Sequence, residues 1–274
     1  MRRLHTAVTA LAAAGGALAA CVTTPTVATF RSEGPPPRLV TESRTGGTDA
    51  PAPPFMASLQ LPGRRLRHYC GGSLISRYWV LTAAHCLYDS ERPIPATEFV
   101  VRIGSDDIAS GGAYVRARRS YVPAGYVPKQ SLDIALVKLA KPVDLDPVPI
   151  AASAAEAGTW VRLPGWGQPC PKRGCGGPRR YLKQPETQIL DSSACRNRFD
   201  PATELCIGVR SGETVCYGDS GGPALAVTGG RWQLVGVTSR FDEGSICGES
   251  NAVYTDVSAY LEWISWIMGG GAAS

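Results

Sequence analysis

Cys216-Tyr217-Gly218-Asp219-Ser220-Gly221-Gly222-Pro223 sets one serine among small residues, directly after a carboxylate. A serine hydroxyl is a weak nucleophile at neutral pH and needs a positioned base. Its attack on a carbonyl also needs donors for the oxyanion that forms. Glycines on both sides allow a sharp backbone turn that aims amide N–H groups inward. The Gly218 and Ser220 amides are the candidate donors. A plain Gly-rich turn between strands leaves the placed Cys, Asp and Pro of this stretch unexplained.

The base has to come from elsewhere, and the chain has three histidines. His5 sits in a leader-like segment. His68, in Arg67-His68-Tyr69-Cys70, reads on its own as a satisfied structural residue. His85 closes an apolar run, Trp79-Val80-Leu81-Thr82-Ala83-Ala84-His85-Cys86, and is the candidate base. A triad also requires a carboxylate to orient the imidazole. Asp133 lies inside an apolar strand pattern, Ser131-Leu132-Asp133-Ile134-Ala135-Leu136-Val137. Unless it faces water at a sheet edge, a carboxylate there is costly without a partner.

Thr82-Ala83-Ala84-His85-Cys86, Asp133-Ile134-Ala135-Leu136 and Gly218-Asp219-Ser220-Gly221-Gly222-Pro223 together resemble the three signature blocks of trypsin-like (chymotrypsin-fold) serine proteases. Their His, Asp, Ser order is that family's order. Cys70-Gly71-Gly72-Ser73-Leu74-Ile75 and Gly165-Trp166-Gly167 resemble further family segments, so the likeness runs from about Gly46 to about Ile267. It implies an all-β fold: two six-stranded antiparallel β-barrels with the active site between them and a C-terminal helix. It implies catalytic roles for His85, Asp133 and Ser220, an oxyanion hole at Gly218 and Ser220, and a substrate-pairing segment at Ser239. No cofactor and no metal are called for.

The 274 residues are 44% hydrophobic and 19% charged, an ordinary globular balance that leaves ample length for a core. The net charge of +5 falls by two once Arg2 and Arg3 are set aside, too little to argue for nucleic acid. Residues 1–20 read as a secretory signal peptide, with Arg2 and Arg3 ahead of an Ala/Leu-rich stretch. It ends in Leu18-Ala19-Ala20-Cys21, which resembles a bacterial lipobox. Lipidation of Cys21 and simple cleavage after Ala19 with release are both open, as is a chance run of small residues. Residues 21–44, rich in Thr and Pro, read as a tether or pro-segment without a core. Residues 45–274 are the expected peptidase domain. The protein is expected to be an exported monomer, secreted or held at a membrane through Cys21, that acts on a protein or peptide substrate.

Nine cysteines are an odd number for an exported chain, so one should have another fate. The family resemblance pairs Cys70 with Cys86, Cys195 with Cys206, and Cys216 with Cys247. Cys170 and Cys175 remain to close a small loop, and Cys21 is left over. With no CxxC pair, and disulfides favoured by export, a zinc site is disfavoured.

From Phe55 onward, short apolar runs recur between turn signals, as in an all-β sandwich or barrel. The Tyr181–Leu190 stretch reads as one strand. Ser258–Met268 reads as a helix with Ser258 as its N-cap and Leu261, Ile264 and Met268 on one face.

The family pattern breaks in two places. No Ile-Val-Gly-Gly stands at the activation position, whose freed ammonium would pair with Asp219. Cleavage after Arg44 exposes Thr45, one residue short of the family pattern, cleavage after Arg38 exposes Leu39-Val40 followed by extra residues, and activation at neither site is also open. His68 matches a family histidine that can hold this acid in the inactive precursor. The second break is the specificity pocket. Its base is Thr214, which cannot neutralise a basic side chain, so an uncharged, apolar P1 residue is expected. Ala252, where glycine is common, narrows the pocket slightly. Arg240-Phe241 replaces the usual Trp-Gly after Ser239. If Phe241 enters the pocket, small P1 residues fit; if the Asp242–Ile246 loop carries it away, Phe, Tyr or Leu fits. A carboxylate of that loop, Asp242 or Glu243, reaching in would favour basic substrates instead. Two other functions compete with a serine endopeptidase. A non-catalytic homologue that binds a partner is one, although such proteins usually lose a triad member. An esterase on another fold is the other, which the absence of a Gly-x-Ser-x-Gly elbow disfavours.

Overall fold

The structure is a computed structural model that describes residues 51–61, 67–90, 92–127, 132–209 and 215–271. The signal peptide, Cys21, the tether, both activation sites and Thr214 lie outside these residues.

Eight strands form the first half: β1 (Met56–Leu61), β2 (Arg67–Ser76), β3 (Trp79–Thr82), the two-residue β4 (Tyr88–Asp89) and β5 (Arg92–Pro93), β6 (Val100–Ile103), β7 (Ala113–Tyr121) and β8 (Ala135–Leu139). Six of them close into a barrel in the order β1-β2-β3-β8-β7-β6, while β4 and β5 pair only with each other. The interior takes Met56, Leu59, Leu74, Leu81, Ile103 and Leu136, all fully buried. On β7 the alternation is half-sided, with Tyr114, Arg116, Arg118 and Arg119 turned to solvent.

The second half holds β9 (Trp160–Arg162), β10 (Glu186–Gln188), β11 (Glu204–Ile207), β12 (Pro223–Thr228), β13 (Arg231–Phe241) and β14 (Ala252–Asp256). Their order is β10-β9-β12-β13-β14-β11. The sheet curls until its outer strands meet just beyond β10, through an antiparallel bridge between Ile189 and Ile207. Leu190 N–H donates to the Cys206 carbonyl at 2.8 Å there, and Gly208 N–H to that of Gln188 at 3.0 Å. The architecture is the expected all-β pair of six-stranded sheets, the first a closed barrel and the second closed at this one seam.

Two elements differ from the sequence reading. The Tyr181–Leu190 stretch is not one strand. Pro185 has no N–H to give a ladder, so only Glu186–Gln188 pairs with β9, and Lys183 makes an isolated bridge to Gly165. The C-terminal helix α1 spans Leu261–Met268 after a 3₁₀ turn at Val257–Tyr260. Asp256, not Ser258, caps the 3₁₀ turn, its carboxylate accepting the Ser258 amide at 2.8 Å, and α1 follows from Tyr260 without a side-chain cap. Ile264 and Ile267 form the buried face of the helix, and Leu261 and Met268 flank it half-buried.

Disulfides join Cys70 to Cys86, Cys170 to Cys175, Cys195 to Cys206 and Cys216 to Cys247. No helix among the described residues is long and apolar enough to cross a membrane.

Candidate active site

Strand register brings His85 and Asp133 together. β3 runs antiparallel to β8 with Thr82 opposite Ala135. His85 follows Thr82 by one 3₁₀ turn, Ala84–Leu87, and Asp133 precedes Ala135 by two residues. Leu132 takes a left-handed φ of 59° just before it. The Ile134 amide donates back to the Leu132 carbonyl at 2.8 Å, so the chain makes a tight turn centred on Asp133. The carboxylate leaves the strand and meets His85 twice. The His85 main-chain N–H donates to Oδ1 at 2.9 Å, and Nδ1 lies 2.7 Å from Oδ2.

The second sheet supplies two more contacts. Ser239 Oγ, on β13, donates to Asp133 Oδ2 at 2.6 Å, and Thr255 Oγ1, on β14, donates to the Asp133 carbonyl at 2.8 Å. Burial opposes charge on both titrating partners, yet their attraction wins. Asp133 is held below the usual carboxylate range by the His85 charge and these hydrogen bonds, against its burial. Burial pulls His85 down, and the Asp133 charge and hydrogen bond more than reverse this, raising it above an ordinary imidazole. With Nδ1–H pointed at Asp133, Nε2 is the ring nitrogen left to exchange a proton.

The Ser220 loop sits where the two sheets touch backbone to backbone. A Cβ on Gly71 of β2 would lie 2.9 Å from the Gly222 Cα, and the Gly71 amide donates to the Ser220 carbonyl at 2.7 Å. Gly221, at φ +77°, leaves no room either, since a Cβ there would be 2.2 Å from Thr82 Oγ1. Glycine at these positions therefore permits the approach that puts Ser220 and His85 in one cleft.

Asp219 points the other way, into protein. Its oxygens accept the Gly167 amide at 2.6 Å and the Cys216 amide at 2.7 Å. Cβ atoms on Gly165 and Gly167 would stand 2.0 and 2.1 Å from those oxygens, which gives the Gly165-Trp166-Gly167 motif its physical reason. Burial pushes the Asp219 carboxyl up to about 6, against the two amides and the Arg179 charge.

His68 does not hold this acid. Its Nδ1 lies 2.8 Å from Ser58 Oγ and its Nε2 2.8 Å from the Gly218 carbonyl. Since a carbonyl only accepts, Nε2 carries the proton, and the Ser58 hydroxyl donates to Nδ1 while accepting from Gln60 Nε2 at 3.0 Å. Burial draws His68 down to about 4, partly offset by the Gly218 bond, so it is neutral near pH 7. Gly218 itself takes φ +101°, which suits glycine.

His85, Asp133, Ser220, Ser239, Arg240 and Phe241 line one cleft of about 470 Å³. Phe241 is the last residue of β13, opposite Ala252 of β14, so no loop carries it away. Ala252 is buried behind it. The Arg240 guanidinium turns to Glu204, with one bond of 2.9 Å to Oε2, and to the Arg198 carbonyl. Asp242 and Glu243 line a different depression with Ser193 and Arg196. Asp242 is buried there and accepts the Arg196 and Asn197 amides at 2.9 Å each, so it does not reach into the cleft. The cleft also holds Tyr217, Val215, Thr238 and Arg173, which the sequence reading did not assign. Tyr217 stands inside the signature stretch itself, whereas nothing local marks Arg173. Cys70, His85 and Cys86 cluster at metal-ligand distances, but both sulfurs are in a disulfide and are not free thiolates.

The family model described as Trypsin matches residues 44–264. Human (Homo sapiens) Serine protease 41 is 32% identical over 238 residues, which cover 78% of this chain and 72% of that protein.

Proposed function

Since the chain belongs to the trypsin family, we propose that it is a serine endopeptidase that cleaves peptide bonds through an acyl-enzyme. The observation that carries this is the Asp133–His85 pair at 2.7 Å, sharing its cleft with Ser220. Ser220 Oγ attacks the scissile carbonyl and its proton passes to His85 Nε2. Asp133 keeps the proton on Nδ1 and stabilises the imidazolium. The amides of Gly218 and Ser220 receive the oxyanion; losing one such donor costs ~3–4 kcal/mol of barrier. Collapse of the tetrahedral species expels the amine, which takes the proton from His85. Water then repeats the sequence to free the acid.

The P1 side chain enters beside Val215 and Thr238, against the paired rings of Tyr217 and Phe241. The Tyr217 and Phe241 rings meet edge-on with centroids 5.7 Å apart. That narrows the mouth and favours small apolar P1 residues such as Ala or Val. A basic P1 residue has no carboxylate there among the described residues, and an unpaired buried charge costs several kcal/mol, on the order of the penalty for breaking a buried ion pair.

Activation follows from Asp219. An α-ammonium freed by cleavage after Arg38 or Arg44 pairs with this carboxylate. The enzyme is exported, with residues 1–20 as signal peptide, 21–44 as pro-segment or tether lipidated at Cys21, and 45–274 as the peptidase domain.

Two measurements test the proposal. A fluorophosphonate probe should label the processed protein at Ser220, and Ser220→Ala should lower peptide turnover by a factor on the order of 10⁶. Chromogenic peptides with Ala, Phe and Arg at P1 should be ranked in that order. Near-normal turnover by Ser220→Ala would overturn the mechanism, and a preference for Arg would overturn the pocket reading.

A further inference from the structure

Two disulfide-closed loops meet beside the cleft. Cys170–Cys175 closes one, and Cys216–Cys247 ties the approach to Ser220 to the segment after β13. Main-chain contacts join them. Lys172 forms an antiparallel bridge with Ile246, and the Cys247 amide donates to the Pro171 carbonyl at 3.0 Å. From beneath, Gln168 Nε2 donates to the Cys170 and Lys172 carbonyls at 2.8 and 2.6 Å. Arg173 is therefore carried on a braced platform.

The Arg173 guanidinium lies over the Tyr217 ring, 5.5 Å from its centroid. The same ring makes a T-shaped contact with Phe241, and the Tyr217 hydroxyl donates to the Ser245 carbonyl. The order Phe241, Tyr217, Arg173 thus leads from the mouth of the proposed P1 recess outward, and all three line the cleft of His85 and Ser220.

Among the described residues the charges of this cleft do not balance. Asp133 is engaged by His85 and Ser239, and Arg240 by Glu204. Among the described residues no carboxylate pairs with Arg173, which is exposed. The nearby acids Asp242 and Glu243 line the other depression. The uncompensated charge at the mouth is a guanidinium, whose planar fork suits a carboxylate.

We propose that Arg173 is a specificity-determining residue that recognises an acidic side chain of the substrate within two residues of the scissile bond. This rests on the endopeptidase reading. An extended peptide advances about 3.4 Å per residue, so a Glu or Asp one or two positions from the P1 side chain comes within reach of Arg173. Small apolar P1 residues and a neighbouring acid then select the substrate together.

The test uses peptides with Ala at P1 and with Glu, Gln or Lys placed in turn at each position from P3 to P3′. At one position the wild-type enzyme should favour Glu over Gln in kcat/KM by about three- to fivefold, as for a charge pair at an exposed site. The preference should shrink at 1 M salt, where the Debye length is about 3 Å. In Arg173→Gln the Glu/Gln ratio should fall to about one, in Arg173→Glu the preference should pass to Lys, and Arg173→Lys should keep part of it. Titrating active sites with the phosphonate probe counts folded enzyme in each variant. The proposal is overturned if no position from P2 to P2′ prefers Glu in the wild type, or if Arg173→Gln retains the preference. If no peptide is cleaved and Ser220 is not labelled, the endopeptidase reading itself fails. Fluorescence anisotropy of the labelled Glu and Gln peptides on wild-type protein and Arg173→Gln still decides the recognition, with equal affinities overturning it.

Discussion

Asp219→Asn isolates the cost of the buried carboxylate before activation. In the full-length chain, carrying Ser220→Ala to block self-processing, Asp219 has two amides and a distant Arg179 charge against its burial. Burial lifts its pKa from the ordinary 3.8 to about 6 in the folded protein. The folded state therefore holds more protons between pH 4 and 6, and stability falls as pH rises through that window. The difference between the two values amounts to roughly 3 kcal/mol, lost in full above the folded pKa. Asparagine is isosteric with the protonated acid, but its Nδ2 only donates and cannot accept one of the two amides, so below pH 4 the variant should be less stable than the parent by about 1–3 kcal/mol. Between pH 4 and pH 8 the difference should move by about 3 kcal/mol in the variant's favour, a relative Tm shift of roughly 10 °C for a domain of this size. The parent's own profile hides this effect. His68, drawn down from 6.5 to about 4 on folding, contributes the opposite slope over nearly the same range. It cancels when the variant is compared with the parent. Melting both proteins from pH 3.5 to 8 is the measurement. A difference that stays flat from pH 3.5 to 8, or that moves in aspartate's favour as pH rises, would refute the account of Asp219 as an unpaired buried acid.

Gly165→Ala should destabilise the protein by about 2–4 kcal/mol, from overpacking plus disturbed bonds to a buried charge, because its Cβ would meet Asp219 Oδ1 at 2.0 Å; chemical denaturation reads this directly. His68→Phe removes the donor that holds the Gly218 carbonyl, and should lower kcat about tenfold with little change in KM. Phe241→Ala should move the P1 preference from Ala towards Phe, read as a reversal of the kcat/KM order in the chromogenic series.

The candidate catalytic constellation is legible in the sequence because its chemistry is written locally. A nucleophile in a glycine turn, a histidine closing an apolar strand and an acid starting another each announce themselves within a few residues. Strand register then does the rest: pairing Thr82 with Ala135 is enough to bring His85 and Asp133 together. The two-sheet all-β fold is legible for the same reason, since short apolar runs and turn residues carry it. The misses fall where a residue's role depends on a distant partner. Pro185 could have warned that the 181–190 stretch would break. Nothing near His68 says that its proton goes to the Gly218 carbonyl, 150 residues away.

Specificity lies furthest from what local pattern encodes. Asp242 and Phe241 are neighbours in the chain, yet alternation along β13 and its exit sends one towards the Arg196 and Asn197 amides and the other into the cleft. A reading that treats the loop as a unit cannot separate them. Arg173 is the converse case: a residue in a small disulfide loop reaches the cleft because that loop pairs with a segment far along the chain, at Ile246. The catalytic apparatus needs fixed groups at fixed places, and short motifs preserve that. Substrate choice needs only a surface of suitable shape and charge, which any pair of loops can supply once the barrels hold them together. The residues proposed to decide what this cleft accepts, Phe241, Tyr217 and Arg173, are joined by ring and guanidinium contacts that no single stretch of the chain contains.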